Sequence, residues 1–242
     1  MNILAFDNDD KLNEAAANMI ISQIQTTPRT VLGLATGGTP VGIYKQLLHE
    51  FDRGMVSFRN VTTYNLDEYA NIPVDHSESY HSYMNNHLFK HIDLPASQRH
   101  IPNGNAEDLV AECRRYDESI ELAGQIDLQL LGIGHNGHIG FNEPAQELTK
   151  ETHVVDLAQE TLEANARYFD SIKEVPKQAL TMGVGTILKA KKIMLVVKGA
   201  DKADIVKRAL QGPITTECPA SLLQTHPNLI VLLDNAAAGK LS

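Results

Sequence analysis

Between Gly134 and Glu143 the chain reads GHNGHIGFNE, a short stretch carrying two imidazoles and a carboxylate. His138 is a candidate acid/base, because imidazole changes charge near neutrality, and Glu143 is placed to orient it and stabilise its positive form. Gly132, Gly134, Gly137 and Gly140 are too dense for a helix or strand interior, so the backbone here must bend sharply, as it often does around a site. Two other readings stand beside this one. His135, His138 and Glu143 could hold a metal, although their spacing matches no familiar helical motif such as HExxH, or the glycines could form a purely structural loop.

Three further places carry chemistry. In NLDEY, Asn65 to Tyr69, paired carboxylates end an apolar run. An extended backbone would point Asp67 and Glu68 to opposite sides, so one can face a ligand, and Asp67 is the candidate general base. The alternative is a helix cap or turn former. In TGGTP, Gly37 and Gly38 permit close backbone approach, and Thr39 can cap the following helix and offer a hydroxyl. Free amides at that helix start would bind an anion, against the alternative of an ordinary glycine turn. The stretch is neither a Walker A loop nor GxGxxG, so a nucleotide is not indicated. Finally, Lys202 falls at a helix start, where a cation opposes the helix dipole unless an anion is bound. Arg167 is a second candidate cation, with a solvated surface ion pair as its alternative. His76, His81, His87 and His91 share no single helical face, and no role is assigned to them.

These residues need a scaffold, and the hydrophobic pattern supplies one. Strands are expected at Asn2 to Phe6, Thr30 to Ala35, Val61 to Leu66, near His100, and at Asp127 to Ile133, His153 to Leu157, Ala179 to Val184, Ile193 to Val197 and Leu229 to Leu233. Helical spacing runs from Asp9 through Leu12, Ala16, Met19, Ile20 and Ile24, and again through Ile43, Leu47, Leu48 and Phe51. Further helices are expected over Ser77 to Ile92, Ala106 to Ala123, around Gln159 to Tyr168, and over Lys202 to Leu210. Such alternation implies α/β architecture: an open, mainly parallel, Rossmann-like sheet with helices on both faces. In such a sheet ligands bind beyond the carboxyl ends of the strands, where the four motifs fall. No repeat or linker divides the chain, so 1–242 is expected to be a single domain, with a possible lid around 159–176.

Composition narrows the class. Hydrophobic residues make up 43% of the 242 residues and charged residues 21%, as in ordinary folded proteins rather than disordered ones. The net charge of −9 and the lack of a basic block argue against nucleic acid and anionic membrane as partners. Cys113 and Cys218 form neither a CxxC nor a Cys/His metal pattern, and the N-terminus lacks signal-peptide features. A cytoplasmic protein without metal or anchor is the expectation.

Taken together, TGGTP, VTTYNLDEY, GIGHNGHIGFNEP, ALTMGVGTIL and GADKA resemble, in order and interval, the glucosamine-6-phosphate deaminases of the glucosamine/galactosamine-6-phosphate isomerase family, in a short non-allosteric form. The resemblance covers nearly the whole chain. It implies cofactor-free conversion of D-glucosamine 6-phosphate and water to D-fructose 6-phosphate and ammonia. By similarity, His138 serves ring opening with Glu143 and Asn136, and Asp67 shuttles a proton from C2 to C1 through an enolamine. The phosphate would lie against Gly37, Gly38 and Thr39, with Arg167 and Lys202 supplying positive charge.

Two departures from the family follow from the same motifs. Many members have Asp where this chain has Asn136, which implies an activity optimum at a different pH. Allosteric hexameric members bind N-acetylglucosamine 6-phosphate through a basic, hydroxyl-rich stretch after FNEP and have a longer C-terminal tail. Here Gln146 to Asp156 carries His153, Val155 and Asp156 instead, and the chain ends soon after Leu233. Hyperbolic kinetics and a monomer or small homo-oligomer are therefore expected. The competing readings are a 6-phosphogluconolactonase, which needs no C2 proton shuttle, and a sugar-phosphate sensor, which would normally carry the helix-turn-helix segment absent here.

Overall fold

The computed structural model describes residues 1–157 and 175–241. Arg167, the helix expected around Gln159 to Tyr168 and all of the expected lid except residues 175 and 176 lie outside that description.

The chain opens with β1 (Asn2–Phe6) and α1 (Asp9–Thr26), started by Asn8, whose side chain accepts the Lys11 N–H. Leu12, Ala16, Ile20 and Ile24 are buried, so the helical spacing in the sequence does mark the inward stripe. Then come β2 (Val31–Leu34), α2 (Thr39–Asp52) and β3 (Thr62–Asn65). With β5 (Arg99–His100), β6 (Leu128–Leu131), β9 (Ile193–Val197) and β10 (Leu229–Asp234) these strands form one parallel sheet in the order β1-β10-β9-β6-β2-β3-β5. All five residues of β9 and all four of β2 are buried, as expected for strands covered on both faces. Helices surround this sheet, and the expected α/β architecture holds.

The sequence does not announce a second sheet. β4 (Asp67–Tyr69), β7 (His153–Asp156) and β8 (Gln178–Thr181) pair antiparallel in the order β4-β8-β7. The strand expected over Val61 to Leu66 therefore does not end in a turn. Leu66 still donates to Leu34 O at 3.1 Å in the large sheet and accepts from Met182 N at 2.7 Å, and from Asp67 onward the chain belongs to the small one.

Other boundaries move for local reasons. The helix expected over Ser77 to Ile92 is α3 (Tyr80–His87), capped by the Ser79 hydroxyl and broken at Leu88 before a 3-10 turn at Phe89–His91. Asp108 caps α4 (Leu109–Leu122), which starts later than the expected Ala106. The strand expected over Ala179 to Val184 ends at Thr181, and Val184–Leu188 forms a short helix, α5, after Gly183. Lys202 ends a 3-10 turn (Ala200–Lys202), and α6 (Ala203–Gln211) begins one residue later.

Candidate active site

Four neighbouring strands of the parallel sheet, β9, β6, β2 and β3, deliver their carboxyl ends to one crevice. Chain order runs outward in opposite directions from β2 and β6, so the crevice lies at the switch point where such sheets bind ligands. A cavity of about 430 Å³ opens there, lined by Gly37, Gly38, Thr39, Asp67, His138 and Lys202 among others. Every described residue expected at the site is thus on its wall except Asn136 and Glu143, which stand behind His138. A larger cavity of about 710 Å³ beside Asn71, His76 and Lys177 holds none of them.

Asp67 is the first residue of β4 and stands opposite Thr181 of β8 in the antiparallel register. It is almost fully buried, and its acid is pushed up to about 8, first by burial and then by the charge of Glu68. The expectation that Asp67 and Glu68 diverge holds. Glu68 Oε1 accepts from Tyr69 N and Tyr80 N, both at 2.9 Å, and Oε2 accepts from His81 N at 3.0 Å. Burial raises the Glu68 acid while these three donors favour its ionised form, and they also satisfy the first free amides of α3. Of the two carboxylates, Glu68 is therefore the cap that the alternative reading described, and Asp67 is the one that faces the cavity.

The capped helix presents Tyr80 to the cavity wall. Its ring packs with Tyr69 (centroids 4.9 Å apart) and is parallel to Phe141 at 6.3 Å, and its hydroxyl bonds to the side chains of Thr36 and Tyr69. Burial raises the Tyr80 hydroxyl well above its ordinary range and holds it as a neutral donor.

The glycine loop after β6 bends as the sequence required. Gly140 has φ +58°, and a Cβ on Gly134 would collide with the His138 ring, so only glycine leaves room for that imidazole. His138 Nδ1 is shielded and lies 3.2 Å from Glu143 Oε1, without the alignment of a hydrogen bond. Asn136 ties the group together, donating from Nδ2 to Glu143 Oε2 at 2.6 Å and accepting the His138 backbone N–H on Oδ1 at 3.1 Å. His135 turns away from this group to Asp201 Oδ2 at 2.6 Å, so the set proposed for a metal is not assembled.

At the other wall, Lys202 is half-buried and donates to Ile133 O at 3.1 Å. Burial lowers its pKa, so an anion beside it would favour the ammonium. Thr39 does not cap α2: Gly38 holds the cap position with no side-chain bond, Thr39 opens the helix, and Pro40 follows without an N–H. The Thr39 hydroxyl is not spent on the helix end.

Sequence reasoning missed Tyr80 and Thr181. Thr181 Oγ1 accepts the Phe141 N–H at 3.1 Å, joining the glycine loop to the strand that pairs with Asp67. The only signal for it was its place in ALTMG, whose role depends on a pairing between strands far apart in the chain.

Residues 7–231 match the family model described as glucosamine-6-phosphate isomerases/6-phosphogluconolactonase, and the chain belongs to that family. Within it, the glucosamine-6-phosphate deaminase of Bacillus velezensis is 52% identical over 239 residues, covering 99% of each chain. A solved monomeric glucosamine-6-phosphate deaminase is 50% identical, with a TM-score of 0.95 and coverage of 99% of this chain and 100% of that one. The 6-phosphogluconolactonase of Trypanosoma brucei shares the fold, with a TM-score of 0.77 at 20% identity over 100% of this chain and 98% of its own.

Proposed function

We propose that this chain is a glucosamine-6-phosphate deaminase that converts D-glucosamine 6-phosphate and water to D-fructose 6-phosphate and ammonia. Its full-length identity to deaminases supports this reading over a lactonase, to which the likeness is one of fold. The observation that carries the mechanism is one buried carboxylate, Asp67, sharing a cavity with an imidazole that is backed by its own carboxylate.

His138 takes the proton of the anomeric hydroxyl and gives it to the ring oxygen, opening the sugar to its aldehyde. Glu143 stabilises the imidazolium formed in between, and Asn136 keeps Glu143 in place. Asp67 then removes the C2 proton, the electron pair forms the C1–C2 double bond, and the aldehyde oxygen takes a proton from the substrate's own ammonium group, giving the enolamine. The same carboxyl group returns that proton at C1, which leaves an imine at C2. Water adds to the imine, and ammonia departs as the ketone forms. One base serves both carbons because they are adjacent. The raised acid of Asp67 makes it a stronger base than an exposed aspartate, as abstraction from carbon requires.

The phosphate binds at Gly37, Gly38 and Thr39 at the start of α2, facing Lys202, with Arg167 as a second cation. The chain acts as a monomer or small homo-oligomer in the cytoplasm, without allosteric activation. In the stretch that replaces the activator site, Asp156 is itself anionic and accepts from Gln178, and the His153 ring bonds Glu151 O. Among the described residues no helix is long and apolar enough to cross a membrane. A coupled assay tests the function: glucosamine 6-phosphate should yield one ammonia per fructose 6-phosphate with hyperbolic kinetics. Hydrolysis of 6-phosphogluconolactone without ammonia release, or sigmoidal kinetics relieved by N-acetylglucosamine 6-phosphate, would contradict it.

A further inference from the structure

Three tyrosine hydroxyls hold three consecutive residues of the turn that follows β2. Tyr44, buried on α2, donates to Ala35 O at 2.6 Å. Tyr80 bonds the Thr36 side chain, and Tyr83 donates to Gly37 O at 2.6 Å. The exposed Gly37 carbonyl has its own side-chain donor, which needs a reason, because an exposed turn normally leaves such a group to water.

The reason lies in the planarity of the peptide. In a trans peptide the C=O and the following N–H point in opposite directions. Turning the Gly37 carbonyl outward to Tyr83 therefore turns the Gly38 N–H the other way. Gly37 and Gly38 line the cavity and Tyr83 does not, so that other way is the cavity. Gly37 has φ +87°, a region where glycine alone is unstrained, and without side chains the Gly37–Gly38 peptide is the softest in the turn. A freely flipping peptide would present a carbonyl to an anion half the time, and the bond from Tyr83 opposes that flip.

We propose that Tyr83 is a positioning residue whose hydroxyl locks the Gly37–Gly38 peptide so that the Gly38 N–H faces the substrate's phosphate. This rests on the phosphate site assigned above and adds the group that preorganises it. α3 carries Tyr80 and Tyr83, and Glu68, the neighbour of Asp67, caps it. The phosphate loop and the C2 base are thereby fixed to one rigid unit, which sets the span between the phosphate and the reacting carbon.

The experiment compares wild type, Tyr83→Phe and Tyr64→Phe for KM, kcat and competitive inhibition by inorganic phosphate. Tyr64 is the control, since its hydroxyl also donates to a backbone carbonyl, Ser119 O at 2.9 Å, but away from the cavity. Tyr83 is partly exposed, and the change removes one oxygen, so folding is checked by thermal melting beside the control. In Tyr83→Phe, KM and the phosphate inhibition constant should rise together by about fivefold to tenfold, with kcat within about twofold, which is the effect of losing one hydrogen bond of ordinary net strength. Tyr64→Phe should leave both constants unchanged. If phosphate competes with wild type but neither constant moves in Tyr83→Phe, the positioning role is wrong and the phosphate site stands. If phosphate does not compete even with wild type, the phosphate site itself is wrong.

Discussion

Asp67 and Thr181 face each other across the antiparallel ladder of the small sheet, and Thr181 Oγ1 accepts the Phe141 N–H at 3.1 Å. One threonine thus binds the glycine loop that carries His138 to the strand that carries Asp67, the residues proposed for ring opening and isomerisation. A single site emerges from two segments far apart in sequence because this pairing holds them in register.

Thr181→Val keeps the shape but removes the acceptor, leaving the buried Phe141 N–H unpaired. The variant should lose on the order of 1–2 kcal/mol of stability in denaturant unfolding. Its kcat should fall about tenfold or more, since the loop is no longer fixed against Asp67. Unchanged kcat in a destabilised protein would reduce Thr181 to a packing residue.

Asn136→Asp replaces the donor that holds Glu143 Oε2 at 2.6 Å with a second carboxylate. Two carboxylates that close cannot both ionise freely, and the added negative charge beside His138 favours a protonated ring. The pH-rate profile should therefore move to higher pH on its acidic limb. A profile superimposable on wild type would remove Asn136 from ring opening.

Asp67→Asn tests what the burial of the proposed base costs. The folded chain holds the Asp67 proton up to about pH 8, against an ordinary value of 3.8. Between these limits the folded state binds more protons than the unfolded one, so wild-type stability drains away as pH rises through that window. The asparagine variant escapes this loss. Its advantage in chemical denaturation should grow with pH toward about 8 and then level off, reaching on the order of 1–3 kcal/mol. An advantage independent of pH would mean that Asp67 is not the group under strain.

Much of the architecture was legible in the sequence because it is local. Leu12, Ala16, Ile20 and Ile24 recur at helical spacing, and the apolar runs of β2 and β9 are bounded by glycines and charged residues. The site motifs were legible because glycines must bend the chain where His138 sits. What escaped depends on contacts between distant segments. Asp67 to Tyr69 reads as a strand end, and only the pairing with Gln178–Thr181 makes it the start of another sheet. The capping role of Glu68 requires α3 to arrive twelve and thirteen residues later, at Tyr80 and His81. Thr39 looked like a helix cap by type, but the glycine before it took the position.

The most direct measurement follows the C2 proton. Wild type and Asp67→Asn are incubated with glucosamine 6-phosphate in deuterium oxide, and ammonia release is read together with deuterium at C1 of the product. Wild type should release ammonia and deliver to C1 a proton that has passed through Asp67, with partial exchange against solvent. The variant should still bind substrate but lose both ammonia release and C2 exchange by at least about a thousandfold. Full activity or undiminished exchange in Asp67→Asn would contradict the assignment of the base, and with it the mechanism.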